Sequence, residues 1–293
     1  MPWNPSWEVT VDVRRLPRVR HLALALLAAV GLVVAVAAPS SASPEWSPPT
    51  YLALGDSVPF GFHNSPFTVG SPEWFTYYTD PAAFSSYAND VARDRHLRLL
   101  NASCPGETTG SYQDPAKEIY KCEGPTGYRT LFPLHVDYGM KAQQKYADRV
   151  LRNPANRVQL VTLQLGANDA FLCQATPSCD VTAEAAVVHQ NLGAILDNLR
   201  STGYRGRIVV VDYYAVDYSD PVGVQGTLLL DRAIDTAALT HHATVASGFL
   251  AFAPRALAHG GSSITAGLVY PNDVHPTPAG HRLLARAVEF AAR

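Results

Sequence analysis

The sequence predicts an α/β domain built on a mostly parallel sheet. Three observations predict it. Short apolar runs of strand length recur at Tyr51–Leu54, Leu97–Leu100, Val158–Leu165 and Arg207–Asp212. Stretches of helical length separate them, and strands that alternate with helices imply a parallel sheet covered on both faces. The chain of 293 residues is 47% hydrophobic and 16% charged, enough to bury one core of ordinary size.

The N-terminus is different material. Arg14, Arg15, Arg18 and Arg20 precede an apolar run from Leu22 to Ala38, and Pro39-Ser40-Ser41-Ala42-Ser43 follows. Basic, apolar and small-residue regions in that order predict a secretory signal peptide over residues 1–42, cleaved after Ala42 or else Ala38, and a single mature domain over 43–293. A secreted, extracellular location follows. An uncleaved leader anchoring the domain at the outer face of the membrane is the alternative, because the run approaches the length of a span. Removing residues 1–42 takes four Arg, Glu8 and Asp12, so the net charge moves from −2 to −4. Nothing basic remains to hold nucleic acid.

The first strand stops at Gly55-Asp56-Ser57. From Pro59 to Pro81, seven aromatic residues from Phe60 to Tyr78 stand among Gly and Pro without a period, which reads as a long loop. Ser85 or Ser86 caps a helix to about His96, and the second strand runs into Asn101–Thr108. Residues 109–135 are rich in Gly, Pro and polar groups. A helix is expected from about Asp137 to Leu151, stopped at Asn153-Pro154. Val158–Leu165 is the clearest strand and ends at Gly166-Ala167-Asn168-Asp169. Helices are expected over about 182–199 and 225–241, a fifth strand over Ala243–Phe249, and a last helix from Pro278 to Ala292.

Cys104, Cys122, Cys173 and Cys179 all lie in the expected mature part. An even number in an exported chain argues for disulfides. Pairing Cys104–Cys122 and Cys173–Cys179 is expected, since each pair brackets a loop-like stretch. Neither has the short spacing of structural zinc.

In a parallel sheet the carboxyl ends of the strands share one edge, so Ser57, the loop after Asn101 and Asn168 meet there. His275, in Pro271-Asn272-Asp273-Val274-His275-Pro276, precedes the last helix. Together these supply what acyl transfer needs: Ser57 as nucleophile, His275 as base, and oxyanion donors from the Ser57 N–H, the Gly106 N–H and the Asn168 amide. Asp56 is expected to brace its turn by accepting backbone N–H groups, and Asp169 to cap a helix. His63 is a rival base by its nearness to Ser57, and His241-His242 reads as a helix end rather than a metal pair. No phosphate-binding or dinucleotide loop occurs, so no cofactor is expected.

The patterns Gly55-Asp56-Ser57, Asn101-x-Ser103-x-x-Gly106-x-Thr108, Gly166-x-Asn168-Asp169 and His275-Pro276, in this order, resemble the SGNH or GDSL-type serine esterases and lipases, in particular their secreted bacterial branch. The resemblance spans about residues 50–293. It implies a flavodoxin-like three-layer sandwich with a mostly parallel five-stranded sheet of order 2-1-3-4-5. It also implies hydrolysis of carboxylic esters, with a small-molecule or lipid ester as substrate. One position departs from the pattern: the family has Asp three residues before His, where this chain has Asn272. Three orienters of His275 therefore stand open. They are Asn272, which the spacing favours; Asp273, through a changed loop; or none, leaving a Ser57–His275 dyad. The aromatic stretch is expected to form an acyl wall for lipid or other acyl esters. Carbohydrate deacetylation, and a binding module that has lost turnover, are the alternatives.

Overall fold

The computed structural model describes residues 47–293 apart from 69, 118–134, 137 and 140. The expected leader and Cys122 lie outside the described residues. Five strands, β1 (Thr50–Gly55), β2 (Arg98–Asn101), β3 (Val158–Gln164), β4 (Arg207–Val211) and β5 (Thr244–Ala246), form one sheet of order β2-β1-β3-β4-β5. Every pairing is parallel. The sheet is therefore all-parallel rather than mostly so.

β1 is buried along its whole length, as a central strand covered on both faces must be. The connection from β1 to β2 steps one way along the sheet and the later connections step the other way. With right-handed crossovers, α3 (Tyr87–Asp94) covers one face, and α4 (Gln143–Arg152), α6 (Val181–Ser201) and α7 (Pro221–Thr240) cover the other. The packing agrees: α6 lies against α4 and α7, whereas α3 packs on the last helix, α9 (Pro278–Ala291). Between the layers lies one core that includes Leu52, Leu54, Leu163, Leu192, Ile195 and Val210.

The caps that the sequence offers are used. Ser86 and Asn89 form a reciprocal capping box at α3. Asp180 caps α6, and Thr277 caps α9 with Pro278 in its first turn.

Three expectations about elements need correction. The aromatic stretch is not all loop: Ser71 caps α2 (Pro72–Thr79), with Pro72 in its first turn. The helix expected from Asp137 begins at Gln143. The fifth strand stops at Ala246, because the Ser247 side chain caps α8 (Gly248–Leu257) and turns the apolar run into a helix. The Cys173–Cys179 disulfide is present, at the end of α5 (Ala167–Gln174). The other expected bridge falls on Cys122. No helix among the described residues is long and apolar enough to cross a membrane.

Candidate active site

β1 ends in a turn that only glycine fits. Gly55 has φ 139°, and a Cβ there would run into the Gln164 carbonyl oxygen of β3. The chain then donates from Asp56 N–H to that same oxygen at 3.1 Å and enters a short helix, α1 (Ser57–Phe60). Asp56 caps it, accepting the Val58 N–H at 2.9 Å on Oδ1, which is the bracing role expected of it. Its Oδ2 accepts the Tyr213 hydroxyl at 2.5 Å. Burial pushes the Asp56 carboxyl up to about 6, against the lowering by Tyr213, Val58 N–H and the charge of His275. Ser57 stands half-buried at the head of α1.

The loop after β2 lies alongside this turn. Ala102 N–H donates to Ala53 O and Cys104 N–H to Gly55 O, each at 2.9 Å. Asn101 donates to Pro59 O at 2.7 Å and accepts the Ser103 N–H at 3.1 Å, which fixes the loop to α1. Gly106 follows at φ 80°. Among the described residues, neither the Ser57 N–H nor the Gly106 N–H donates to a protein acceptor. The Asn168 side-chain amide, in the first turn of α5, donates to Glu107 O at 2.9 Å and so is held beside Gly106.

Asp169 does not cap α5, whose N-cap is Gly166. It points instead into the loop after β2, where it accepts the Thr109 N–H at 3.0 Å and the Thr109 hydroxyl at 2.6 Å. Burial raises its carboxyl to about 6 despite those two donors.

The C-terminal loop supplies the histidine. His275 Nδ1 lies 2.5 Å from Asp273 Oδ1, which also accepts the Val274 N–H at 2.7 Å. Asp273 Oδ2 accepts the Asn64 N–H at 2.8 Å. Burial alone would raise the Asp273 carboxyl; the His275 hydrogen bond and charge and the two N–H donors outweigh it and hold the group down at about 2. An ionised Asp273 fixes the proton of a neutral His275 on Nδ1 and leaves Nε2 as the basic atom.

Asn272, the orienter that spacing favours, is exposed and takes the left-handed turn at φ 58°. That conformation suits Asn, and it carries the chain round so that the next residue reaches the ring. The loop is braced from outside by Tyr214 OH to Val274 O at 2.7 Å, and the Phe62 ring meets the His275 ring edge-on at 5.2 Å.

His63, the rival base, is engaged by its own neighbours. Its Nε2 lies 2.6 Å from the Tyr77 hydroxyl and its ring packs on Tyr270 at 4.5 Å. Burial lowers its pKa; Asp273 acts the other way. His241 pairs with Asp197 at 2.7 Å, in keeping with a helix end.

Sequence reasoning missed His281, which is buried under the site. It accepts the Tyr87 N–H at 3.3 Å and is kept neutral by a pKa that burial pushes down to about 3. It also missed Gln143, Tyr213 and Tyr214, which sit in no motif and touch the strand-end loops only through the fold, and Glu107, an unspecified position of the Asn101–Thr108 pattern.

A half-buried serine heading a short helix, two backbone N–H groups without an acceptor among the described residues, a side-chain amide beside one of them and a carboxylate-bound imidazole are the kinds of group that acyl transfer uses. The chain belongs to the GDSL-like lipase/acylhydrolase family, whose model matches residues 53–283. No curated protein matches it in sequence.

Among solved structures, a variant of Axe2, an acetyl-xylooligosaccharide esterase from Geobacillus stearothermophilus, aligns with a TM-score of 0.52 and 15% identity over 82% of this chain and 92% of its own. The phospholipase A1 of Streptomyces albidoflavus gives 0.52 and 15% over 84% of this chain and 100% of its own. LAE5, an alpha/beta hydrolase from the metagenome of Lake Arreo in Spain, gives 0.52 and 16% over 84% and 95%. At such identities the likeness is one of fold.

Proposed function

We propose that the chain is an exported serine hydrolase that cleaves carboxylic esters of lipids or other acyl compounds. Ser57 Oγ attacks the ester carbonyl while His275 Nε2 takes its proton. The Ser57 N–H, Gly106 N–H and Asn168 amide receive the oxyanion. The alkoxide leaves with the proton returned by His275. Water, activated by the same ring, then releases the acyl group from Ser57.

The observation that carries this reading is the Asp273–His275 hydrogen bond at 2.5 Å, because an ionised carboxylate on Nδ1 is what makes Nε2 an effective base. The departure at Asn272 would favour a binding module that has lost turnover; Asp273 at the ring supports turnover instead. Deacetylation of a carbohydrate is the second reading. It is supported by the half-exposed rings of Phe67 and Phe75, since such rings stack on sugars as well as on acyl chains.

Labelling with a fluorophosphonate beside Ser57→Ala tests the chemistry. Expected is a stoichiometric adduct on Ser57 in the parent and none in the variant; an unlabelled parent refutes a serine hydrolase. Rates on a long-chain ester and on an acetylated oligosaccharide separate the two substrate readings.

A further inference from the structure

Gln143 opens α4 and is 1% exposed, an unusual place for a side chain with two N–H donors and an oxygen that can accept twice. It makes three hydrogen bonds to the described residues. Its Oε1 accepts the Gly55 N–H at 2.7 Å, and its Nε2 donates to Gly55 O and to Glu107 Oε2, both at 3.0 Å. β2 ends at Asn101, opposite Ala53. Beyond it Cys104 N–H still donates to Gly55 O at 2.9 Å, while the Gly55 N–H is taken by the Gln143 carboxamide oxygen.

Glu107 is a second hub. It is buried, its Oε1 accepts the Ser111 hydroxyl at 2.5 Å, and its backbone oxygen holds the Asn168 amide at 2.9 Å.

The connectivity is specific. Gly55 lies two residues before Ser57, Glu107 directly follows Gly106, and Asn168 hangs on Glu107 O. Gln143 Nε2 on Glu107 Oε2 thus joins the turn before Ser57 to the residue that follows Gly106 and holds Asn168, beside the Cys104–Gly55 and Asn101–Pro59 hydrogen bonds. Donors serve an oxyanion only if they are fixed before the charge develops, so their spacing must be set by the surrounding protein. We propose that Gln143 and Glu107 are positioning residues of the oxyanion hole, the pair that sets the separation of the Ser57 turn from the Gly106–Asn168 side. The inference rests on the serine-hydrolase reading above. It assigns no contact with substrate to either residue.

The test compares Gln143→Leu, Glu107→Ala and the conservative Glu107→Gln with the parent on a short p-nitrophenyl ester. Measurements are made well below each variant's melting temperature, with Ser57→Ala as the zero. Gln143→Leu and Glu107→Ala are expected to lower kcat about 10–100-fold with KM changed less than about threefold, the signature of support felt in the transition state. Glu107→Gln, which keeps an acceptor for Gln143, is expected to retain activity within about fivefold.

Combined with Asn168→Ala, Gln143→Leu should cost less than the product of the two single effects, because both act on the same hole. A folded Gln143→Leu with kcat within twofold of the parent overturns the proposal. So does a loss carried by KM, or strict additivity with Asn168→Ala. If Gln143→Leu does not fold, the contrast between Glu107→Ala and Glu107→Gln decides: equal activities refute the role. A parent no faster than Ser57→Ala would instead sink the hydrolase reading itself.

Discussion

The residue on which the proposed chemistry depends most is Asp273. It stands two places before His275, yet the left-handed turn at Asn272 brings its carboxylate to Nδ1 at 2.5 Å. Because the acid is held down at about 2, it stays ionised across any ordinary assay range. Asp273→Asn keeps the shape and removes the charge that stabilises an imidazolium. It is expected to lower kcat by about 10²–10⁴-fold on a p-nitrophenyl ester. Asn272→Gly keeps the turn, since glycine tolerates positive φ, and is expected to stay within about threefold of the parent. The reverse ranking would return the orienting role to Asn272. This detail was illegible in the sequence for a plain reason: residue spacing fixes reach only when the backbone conformation between the residues is known. Ser57, Gly106, Asn168 and His275 stood out as candidates because each lies by a Gly or Pro near a strand end or helix start.

At the scale of elements, β4 and α7 share a buried acidic cluster. Asp212, just past the end of β4, accepts the Gly248 and Phe249 N–H groups at the head of α8. Asp231 on α7 accepts the Tyr213 N–H at 3.0 Å, while its Oδ2 has no partner among the described residues. Burial raises both carboxyls; the charge of Asp212 raises Asp231 further, and that of Asp235 raises Asp212, so with two backbone donors on Asp212 the proton belongs on Asp231. Asp235 nearby is pushed up to about 6 by burial. An acid with a higher pKa folded than unfolded binds more protons when folded. Its favourable contribution is greatest below the unfolded value near 4 and is lost as pH rises through the folded one. Thermal stability should therefore decline from pH 5 toward pH 9. Asp231→Asn, neutral throughout, should raise stability at pH 8 by at least about 1 kcal/mol, about 2–4 °C, and flatten the decline. Parallel melting-temperature profiles for parent and variant would refute this. The strands and long helices here were legible from period and caps. α8 was not, because Gly248-Phe249-Leu250-Ala251-Phe252 continues the apolar run of β5 and only the Ser247 cap marks the change.

Across the whole molecule, the aromatic segment connects the serine side of the site to its histidine side. It leaves α1 at Gly61, sets Phe62 against His275, gives the Asn64 N–H to Asp273, packs His63 on Tyr270 and returns through α2. The sequence showed the rings but not this attachment, since Gly and Pro erase any period between residues 60 and 72. Phe60, Tyr78 and Phe84 form a small core of their own, while Phe67 is 45% and Phe75 53% exposed. The two exposed rings meet only the edges of Tyr77 and Trp74 among the described rings and leave about half their surface to solvent. If they form an acyl wall, burying part of a ring against a long chain is worth about 1–1.5 kcal/mol at roughly 25 cal/mol per Å², near tenfold in kcat/KM. A Phe67→Ser/Phe75→Ser double variant is thus expected to lose about tenfold or more on a decanoyl ester and less than about twofold on an acetyl ester, with an unchanged melting temperature. Equal losses on both esters would make the segment a brace for His275 rather than a wall. Loss confined to acetylated oligosaccharides would assign the same rings to sugar stacking.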